Sequence, residues 1–360
     1  MRFAFRDELG KITPRIAKGA KVYIFGAGAS WENICKQYKY LVGTNLNCCI
    51  DGFIDNNTTK QGTQFCGKPV YALHEIDPKN DVVLVSVTGG AAVTEIIAQL
   101  TNAGMVWRHS FFDASCFMAM IMRWEYLRLM QFKDIHKGKR CFIIGNGPSL
   151  SVRDLEKLKK EITFATNRIY LLFDQTEWRP SYYMIHDSAV LKERHKEIKN
   201  AIECPLFYAY GSIFELEDFS LTGSYFYYLD NRVDWRPVTH KKPKFSEEPF
   251  VMQWGATVTY DCIQLAAYMG FSEIYLIGVD NEHSLMVKND GTLVKSQMNS
   301  HFSKEYGIVF FNPLCDIVDA AYQTAQEYSE SHGIGIFNAT RGGNLEVFKR
   351  VDFDSLFKQK

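Results

Sequence analysis

Short apolar runs that end in glycine or polar turns alternate with helix-like segments in the first part of the chain. Three such runs lie at Lys21–Phe25, Cys48–Asp55 and Asp81–Val87. The first passes into the turn Gly26-Ala27-Gly28, and helical periodicity over Ala92–Leu100 follows the third. Apolar runs that alternate with helices predict parallel strands joined by crossover helices. Residues 1–110 are therefore predicted to form a Rossmann-like α/β unit with a mainly parallel sheet.

A second α/β series is predicted for residues 139–360. Its strand-like runs end at four turns, Gly145–Gly147, Asn167–Arg168, His186–Asp187 and Gly278–Asp280. A helix over Val258–Met269 is expected to end at Gly270, a typical C-terminal glycine. Between the two series, apolar residues recur at helical spacing from Met118 to Met130, which predicts a linker helix within residues 111–138. The expected fold class is α/β, with two tandem Rossmann-like units.

Polar side chains recur where the strands of the second unit end. They are Asn146, Asn167, His186 with Asp187, and Asp280. In open α/β sheets, ligands bind outside the carboxyl ends of the strands. The sequence therefore predicts a ligand site at this edge of the second sheet.

The glycine turn of the first unit is a weaker candidate for a ligand site. Gly26 and Gly28 match the start of a dinucleotide fingerprint, and Asp51 and Asp55 lie at a suitable distance in sequence to meet a ribose hydroxyl. Trp31 stands where that fingerprint has its third glycine. Both a nucleotide site and a purely structural or regulatory role stay open at this turn.

Composition narrows the class of protein. Lys plus Arg and Asp plus Glu both number 41, so the formal net charge is zero, which argues against a general nucleic-acid binder. The longest apolar run, Cys116–Met122, is too short to cross a membrane. We expect a cytoplasmic protein, with a peripheral contact to the inner membrane left open, and a homo-oligomer.

The motifs of the second unit resemble a known family. They are the turn Gly145-Asn146-Gly147-Pro148-Ser149-Leu150, its spacing to Asn167, to Gly255-Ala256-Thr257 and to Gly278-Val279-Asp280, and the segments Ser300–Tyr306 and Asn338–Val351. Together they resemble the bacterial 6-hydroxymethylpterin diphosphokinase-like (MptE-like) family over about residues 138–356. That family is related to bacterial sialyltransferases and to motility-associated nonulosonate glycosyltransferases. The first unit carries Ile24-Phe25-Gly26-Ala27-Gly28, Gly52-Phe53-Ile54-Asp55-Asn56 and Gly67-Lys68-Pro69-Val70-Tyr71. With these segments it resembles, over about residues 20–105, the Rossmann-like domains attached to enzymes of surface-sugar biosynthesis.

The resemblance implies a sialyltransferase-like (GT-A-like) second unit and a glycosyltransferase activity. The implied donor is a nucleotide-activated sugar, a CMP-linked nonulosonic acid, and the acceptor is a glycan or another hydroxyl in surface polysaccharide synthesis. No cofactor is expected for this reaction. The residues that the resemblance assigns to the donor are Gly145, Asn146, Gly147, Pro148, Ser149, Asn167, Asp187, Gly255, Ala256, Thr257 and Asp280.

Transfer to a hydroxyl needs a base, and histidine suits the task near neutral pH. The resemblance assigns this role to His301, with His283 and His186 as competitors. The sialyltransferases place tyrosines after Gly-x-Asp to stabilise the leaving phosphate, and this chain has none there. A protonated His283, Arg168 or Arg341 is expected to neutralise that phosphate instead.

Three other functions stay open. A diphosphokinase would transfer a pyrophosphoryl group from ATP to a pterin, with Mg²⁺ held by Asp280 and Glu282. The domain resembling sugar-pathway enzymes has no obvious task in that reaction. A CDP-polyol phosphate transferase would keep a cytidine pocket. A scaffold would bind the nucleotide without catalysis.

Overall fold

The computed structural model describes residues 12, 14–42, 46–87, 90–113, 118–209, 224–230, 242–281, 285–287, 293–295 and 315–358. The described chain divides into two compact units, with the main boundary between Met130 and Gln131. His283, His301 and Glu282 lie outside the described residues. In the described part, every helix is too short or too polar to span a bilayer.

The first unit is built on a six-stranded sheet in the order β3-β4-β2-β1-β5-β6. Its strands are β1 (Val22–Phe25), β2 (Gly52–Ile54), β3 (Gln64–Phe65), β4 (Lys68–Tyr71), β5 (Val82–Val85) and β6 (Phe111–Asp113). All pairings in this sheet are parallel except β3 with β4. The helices are α1 (Ala29–Val42), α2 (Gly90–Asn102) and α3 (Met118–Met130). β1 and β5 are buried along their whole length, as their uninterrupted apolar sequences predict.

The first unit extends beyond the boundary expected at residue 110. β6 pairs in parallel with β5, and α3 contacts β1, so neither element is a free linker. The Arg123 guanidinium of α3 donates from Nε and Nη2 to the Asp51 carboxylate at 3.1 Å each. The same carboxylate accepts the Val22 backbone N–H at 2.8 Å. Helical spacing in the sequence predicted α3 itself. The long-range ion pair that holds α3 in the first unit leaves no signal in the local sequence.

We expect Arg123→Met to lower the free energy of unfolding of the first unit by about 2 kcal/mol, because the half-buried Asp51 loses a bidentate partner. Hydrogen exchange at the amides of β1 and α3 in the full chain measures this. Asp51→Asn is the reciprocal variant. If the two changes are additive in the double variant, Arg123 and Asp51 do not stabilise one another.

The second unit is built on a nine-stranded sheet in the order β12-β11-β10-β9-β8-β7-β13-β16-β17, with parallel pairings throughout. Its strands are β7 (Arg140–Ile144), β8 (Thr163–Thr166), β9 (Tyr182–Ile185), β10 (Leu206–Ala209), β11 (Ser224–Asp230), β12 (Val251–Gln253), β13 (Glu273–Ile277), β16 (Gly335–Asn338) and β17 (Lys349–Arg350). A separate antiparallel pair joins β14 (Leu285–Val287) to β15 (Leu293–Lys295). The helices are α4 (Val152–Lys157), α5 (Ser188–Ala201), α6 (Val258–Tyr268) and α7 (Cys315–His332). The predicted α/β class with two mainly parallel sheets is confirmed.

The order of these strands creates a switch point at β7. From β7 the chain lays down β8 to β12 on one side, and then returns to place β13 on the other side. Crossovers that leave a strand in opposite directions open a crevice at its carboxyl end, where ligands bind in such sheets. The strand register aligns Ile277, Ile144 and Ala165 across this point. The polar residues that follow β13, β7 and β8 therefore emerge at the same edge.

Candidate functional site

The glycine turn after β7 lies against the end of β13. The Gly145 N–H donates to the Ile277 carbonyl, and the Gly147 N–H to the Gly278 carbonyl, each at 2.8 Å. A Cβ at Gly145 would overlap the Gly278 carbonyl, and one at Gly147 would overlap the Asp280 carboxylate. The glycines are therefore needed for close packing of two chain segments. The N–H groups of Gly145 and Gly147 are thus both used within the sheet edge.

Asp280 holds the turn from the other side. Its side chain is buried, and its Oδ2 accepts the Ser149 hydroxyl at 2.9 Å. Its backbone carbonyl accepts the Asn344 N–H at 2.7 Å. Of the two roles expected for Asp280, contact with the nucleotide and ordering of the site, these contacts support the second.

Two buried amide oxygens at this edge accept no hydrogen bond from the part of the chain that the structure describes. Asn146 donates from Nδ2 to the carbonyl and hydroxyl oxygens of Thr166 at 3.1 and 3.0 Å, which turns its Oδ1 away from them. Asn167 has a left-handed backbone, with φ +49°, and its carbonyl accepts the Tyr183 hydroxyl. Among the described residues, no group donates to Oδ1 of Asn146 or of Asn167. Because buried polar atoms are normally paired, these two oxygens point to a ligand that carries donors.

The Asp187 side chain caps a helix. Its Oδ1 accepts the N–H groups of Ala189 and Val190 at 2.9 and 3.1 Å, which satisfies the first turn of α5. The local sequence that suggested a ligand contact for Asp187 is equally typical of a helix N-cap.

The loop before α6 is similarly committed to local structure. Thr257 is the N-cap of α6, and Ala256 has φ +57°. A Cβ at Gly255 would overlap the side chains of Tyr260 and Ala321. The loop is therefore tightly packed at the start of the helix, and glycine is required there by space.

The two arginines expected near the phosphate differ in their surroundings. Arg341 bridges Asp154, at 2.9 Å, and Asp354, at 2.7 Å, and these hydrogen bonds raise its pKa. Its guanidinium is thus engaged in a structural ion pair. Arg168 is buried directly after Asn167. Hydrogen bonds from Tyr170 and Arg194 lower the pKa of Glu197, and the charge of Arg168 adds to this effect, which places Arg168 near α5.

A further cluster at the same edge includes two residues that the sequence did not single out. His186, directly after β9, has Nδ1 at 2.7 Å from Oδ2 of Asp261. The Tyr227 hydroxyl of β11 donates to the same oxygen at 2.8 Å. Asp261 is fully buried in the first turn of α6. The available signal was that Asp261 is the one charged residue of this helix, Val258–Tyr268.

The metal hypothesis concerns Asp280 and Glu282. Glu282 lies outside the described residues, and within the described part no group of three or more His, Cys, Asp or Glu residues is arranged as a metal site. The proposed bases His301 and His283 likewise have no described environment.

The glycine turn of the first unit is closed by its own chain. Oδ2 of Asp55 accepts the Ala27 N–H at 3.0 Å and the Lys60 ammonium at 2.9 Å. Lys60 also donates to the Ala27 carbonyl at 2.7 Å. Gly26 has φ +109°, and a Cβ there would overlap Ser86 and Val87. The carboxylate expected to meet a ribose is thus already bound, which supports the structural role left open for this turn.

Comparison with known proteins gives one family match. Residues 119–284 match the family described as 6-hydroxymethylpterin diphosphokinase MptE-like, so the predicted resemblance to that family is confirmed. No curated protein matches the chain.

Two solved structures are similar to this chain at low identity. One is a MAf glycosyltransferase from Magnetospirillum magneticum AMB-1, with 15% identity and a TM-score of 0.38 over 99% of this chain; the chain spans 63% of its length. The other is a sialyltransferase from Campylobacter jejuni, solved with a substrate analogue, cytidine-5'-monophosphate. It has 12% identity and a TM-score of 0.32, over 60% of this chain and 85% of that chain.

Proposed function

We propose, from the match of residues 119–284 to the MptE-like family and from the site at β7, that this chain transfers a sugar from a nucleotide-activated donor. The proposed donor is a CMP-linked nonulosonic acid, and the acceptor is a hydroxyl of a surface glycan or glycoconjugate. His301 is the proposed base for the acceptor hydroxyl. The observation that carries the proposal is that Oδ1 of Asn146 and Oδ1 of Asn167, both buried at the carboxyl edge of the sheet, accept no hydrogen bond from the described residues.

The chemistry of these oxygens supports a nucleoside with donor groups. An amide oxygen only accepts hydrogen bonds, so a nucleotide partner would offer it a ribose hydroxyl, an exocyclic amine or a ring N–H. Cytosine and adenine carry an exocyclic amine at the position where uracil has a carbonyl, and uracil donates only from its N3–H. The exocyclic amine of cytosine or adenine is thus the base group that we propose as the donor to Asn146 or Asn167.

The family description supports a second candidate, a diphosphokinase that uses ATP. That reaction needs Mg²⁺ near the phosphates, for which Asp280 and Glu282 are the candidates. Transfer of a polyol phosphate from a CDP-linked donor would use the same cytidine pocket. The base of the nucleotide and its dependence on Mg²⁺ separate the three reactions.

We expect CMP and CDP to raise the melting temperature of the full chain without Mg²⁺, and UMP to have a smaller effect, since a ligand of the native state stabilises it by mass action. Thermal shift with CMP, CDP, UMP, AMP and ATP, each with and without Mg²⁺, measures this, and calorimetry gives the affinities. A shift confined to ATP or AMP with Mg²⁺ would replace the glycosyltransferase by the diphosphokinase.

Asn167→Gly tests directly whether Oδ1 of Asn167 contacts the nucleotide. Glycine accepts the left-handed backbone at this position and removes the unpartnered oxygen. We expect about 10-fold weaker CMP binding. Asp134→Gly is the matched control, because Asp134 also has a positive φ, +55°, and precedes β7 at the opposite edge of the sheet. Equal CMP affinity in both variants would exclude the Asn167 oxygen from the site.

A further inference from the structure

The cluster of His186, Asp261 and Tyr227 holds the His186 imidazole in a fixed position. Oδ2 of Asp261 lies 2.7 Å from Nδ1 of His186 and 2.8 Å from the Tyr227 hydroxyl. The three groups come from β9, α6 and β11, so the tertiary fold, and not a local turn, brings them together. An imidazole bound to a carboxylate through Nδ1 has a fixed ring orientation and exchanges its proton through Nε2.

The charges around this imidazole favour its protonated form. Burial by itself lowers the pKa of His186, but the charge of Asp261, their hydrogen bond and the charge of Asp187 outweigh it and raise the pKa. Burial keeps Tyr227 neutral by raising its pKa well above its usual range. Among the described residues, the groups that face the imidazole include two carboxylates, from α6 and from the start of α5, and a neutral phenol from β11. The two carboxylates favour the protonated imidazole, which is the form that can donate a proton.

His186 lies at the same edge as the proposed nucleotide site. Met184 of β9 pairs with Thr166 of β8, so His186 and Arg168, each two residues further on, are level with one another. Neighbouring strands are about 4.8 Å apart, so the ends of β8 and β9 lie within reach of one small ligand. Asn167, whose Oδ1 accepts no hydrogen bond from the described residues, directly precedes Arg168. Arg341, the other arginine expected near the phosphate, is bound to Asp154 and Asp354.

We propose that the His186 imidazolium contacts the phosphate of the bound nucleotide donor and gives its Nε2 proton to the phosphate as the donor bond breaks, with Asp261 as a positioning residue. This inference rests on the proposed function. The bond between the sugar carbon and the phosphate oxygen breaks, and its electron pair stays on that oxygen, while the phosphate takes the His186 proton. The acceptor oxygen forms the new bond to the sugar carbon and gives its proton to the acceptor base. Water then reprotonates His186.

The wild-type chain provides the first test. The affinities of CMP and cytidine are measured by calorimetry from about pH 6.5 to about pH 9, across the range in which a histidine with a raised pKa titrates. Since the pKa of His186 is raised, its imidazolium persists to higher pH than that of an ordinary histidine and is lost as the pH increases further. We expect CMP affinity to fall with increasing pH and cytidine affinity to stay constant. An arginine guanidinium is not deprotonated in proteins, so a contact between an arginine and the phosphate would not produce this pH dependence.

Two variants assign the effect to the cluster. His186→Asn is expected to weaken CMP binding about 10-fold or more and to leave cytidine binding unchanged, since only CMP carries the phosphate. His332→Asn, at the exposed end of α7, is the control and keeps both affinities. Asp261→Asn removes the negative charge beside the imidazole. It is expected to move the fall in CMP affinity to lower pH, a change that a merely structural role of Asp261 would not produce.

The outcomes separate this inference from the function on which it rests. If neither CMP nor cytidine binds the wild-type chain, the proposed function fails. If both bind and their affinities vary with pH in the same way, the nucleotide site stands and the role of His186 is overturned. Should His186→Asn fail to fold, the wild-type pH series still decides between these results.

Discussion

Gly147→Ala is expected to weaken CMP binding about 100-fold or more. The new Cβ would overlap the Asp280 carboxylate, which is buried and held by Ser149. Because Gly147 and Asp280 follow the two strands that form the switch point, the clash must be relieved by separating the ends of β7 and β13. The Asn146 side chain, one residue away, then loses its position against Thr166. Calorimetry with CMP measures the loss.

The control is the corresponding glycine of the first unit. Gly28 follows β1 by the same number of residues as Gly147 follows β7, and a Cβ there would meet no atom within 4 Å. Gly28→Ala is expected to keep both CMP affinity and melting temperature. Native CMP affinity in Gly147→Ala would contradict the packing described at the switch point and move the nucleotide elsewhere.

His301→Ala is expected to reduce turnover by about 100-fold or more while leaving CMP affinity nearly unchanged. A general base contributes at this level to a transfer reaction and acts on the acceptor hydroxyl, away from the donor nucleotide. Single-turnover kinetics with a CMP-nonulosonate donor separate the chemical step from binding. Unchanged turnover would remove His301 from the mechanism, and His283 would be the next residue to replace.

The two proposed histidines differ in their kinetic signatures. The base, His301, must be neutral to act, so its loss removes the decrease of rate at low pH. The proton donor, His186, must be protonated, so its loss removes the decrease at high pH. If the rate of His186→Asn still decreases at both low and high pH, His186 takes no part in the chemical step.

Local sequence pattern was sufficient for the elements and for the edge at which polar residues gather. The uninterrupted apolar runs of β1, β5 and β7 predicted buried parallel strands, because a strand covered on both faces has no polar side. The turn residues after β7, β8 and β13 could be placed together because parallel strands share their carboxyl edge.

The roles of individual side chains were harder to predict, because they depend on partners far away in sequence. Asp55 is neutralised by Lys60 across a turn, and Arg341 by Asp154 on another element. Asp261 meets His186 across 75 positions of sequence. Periodicity carries no information on such pairs. The glycines after β7 were predicted to contact the donor, and in the structure their N–H groups bind the end of β13.

The order of the second sheet has a consequence for shortening the chain. β13 is paired on one side by β7 and on the other by β16, and β16 lies beyond residue 284, where the match to the family ends. A fragment cut at that point would expose one side of Glu273–Ile277, an apolar strand with unpaired backbone groups. Such an edge is a template for pairing with a second molecule, so the fragment would be prone to aggregate. The C-terminal strands thus protect the strand that leads to Asp280 from intermolecular β-pairing.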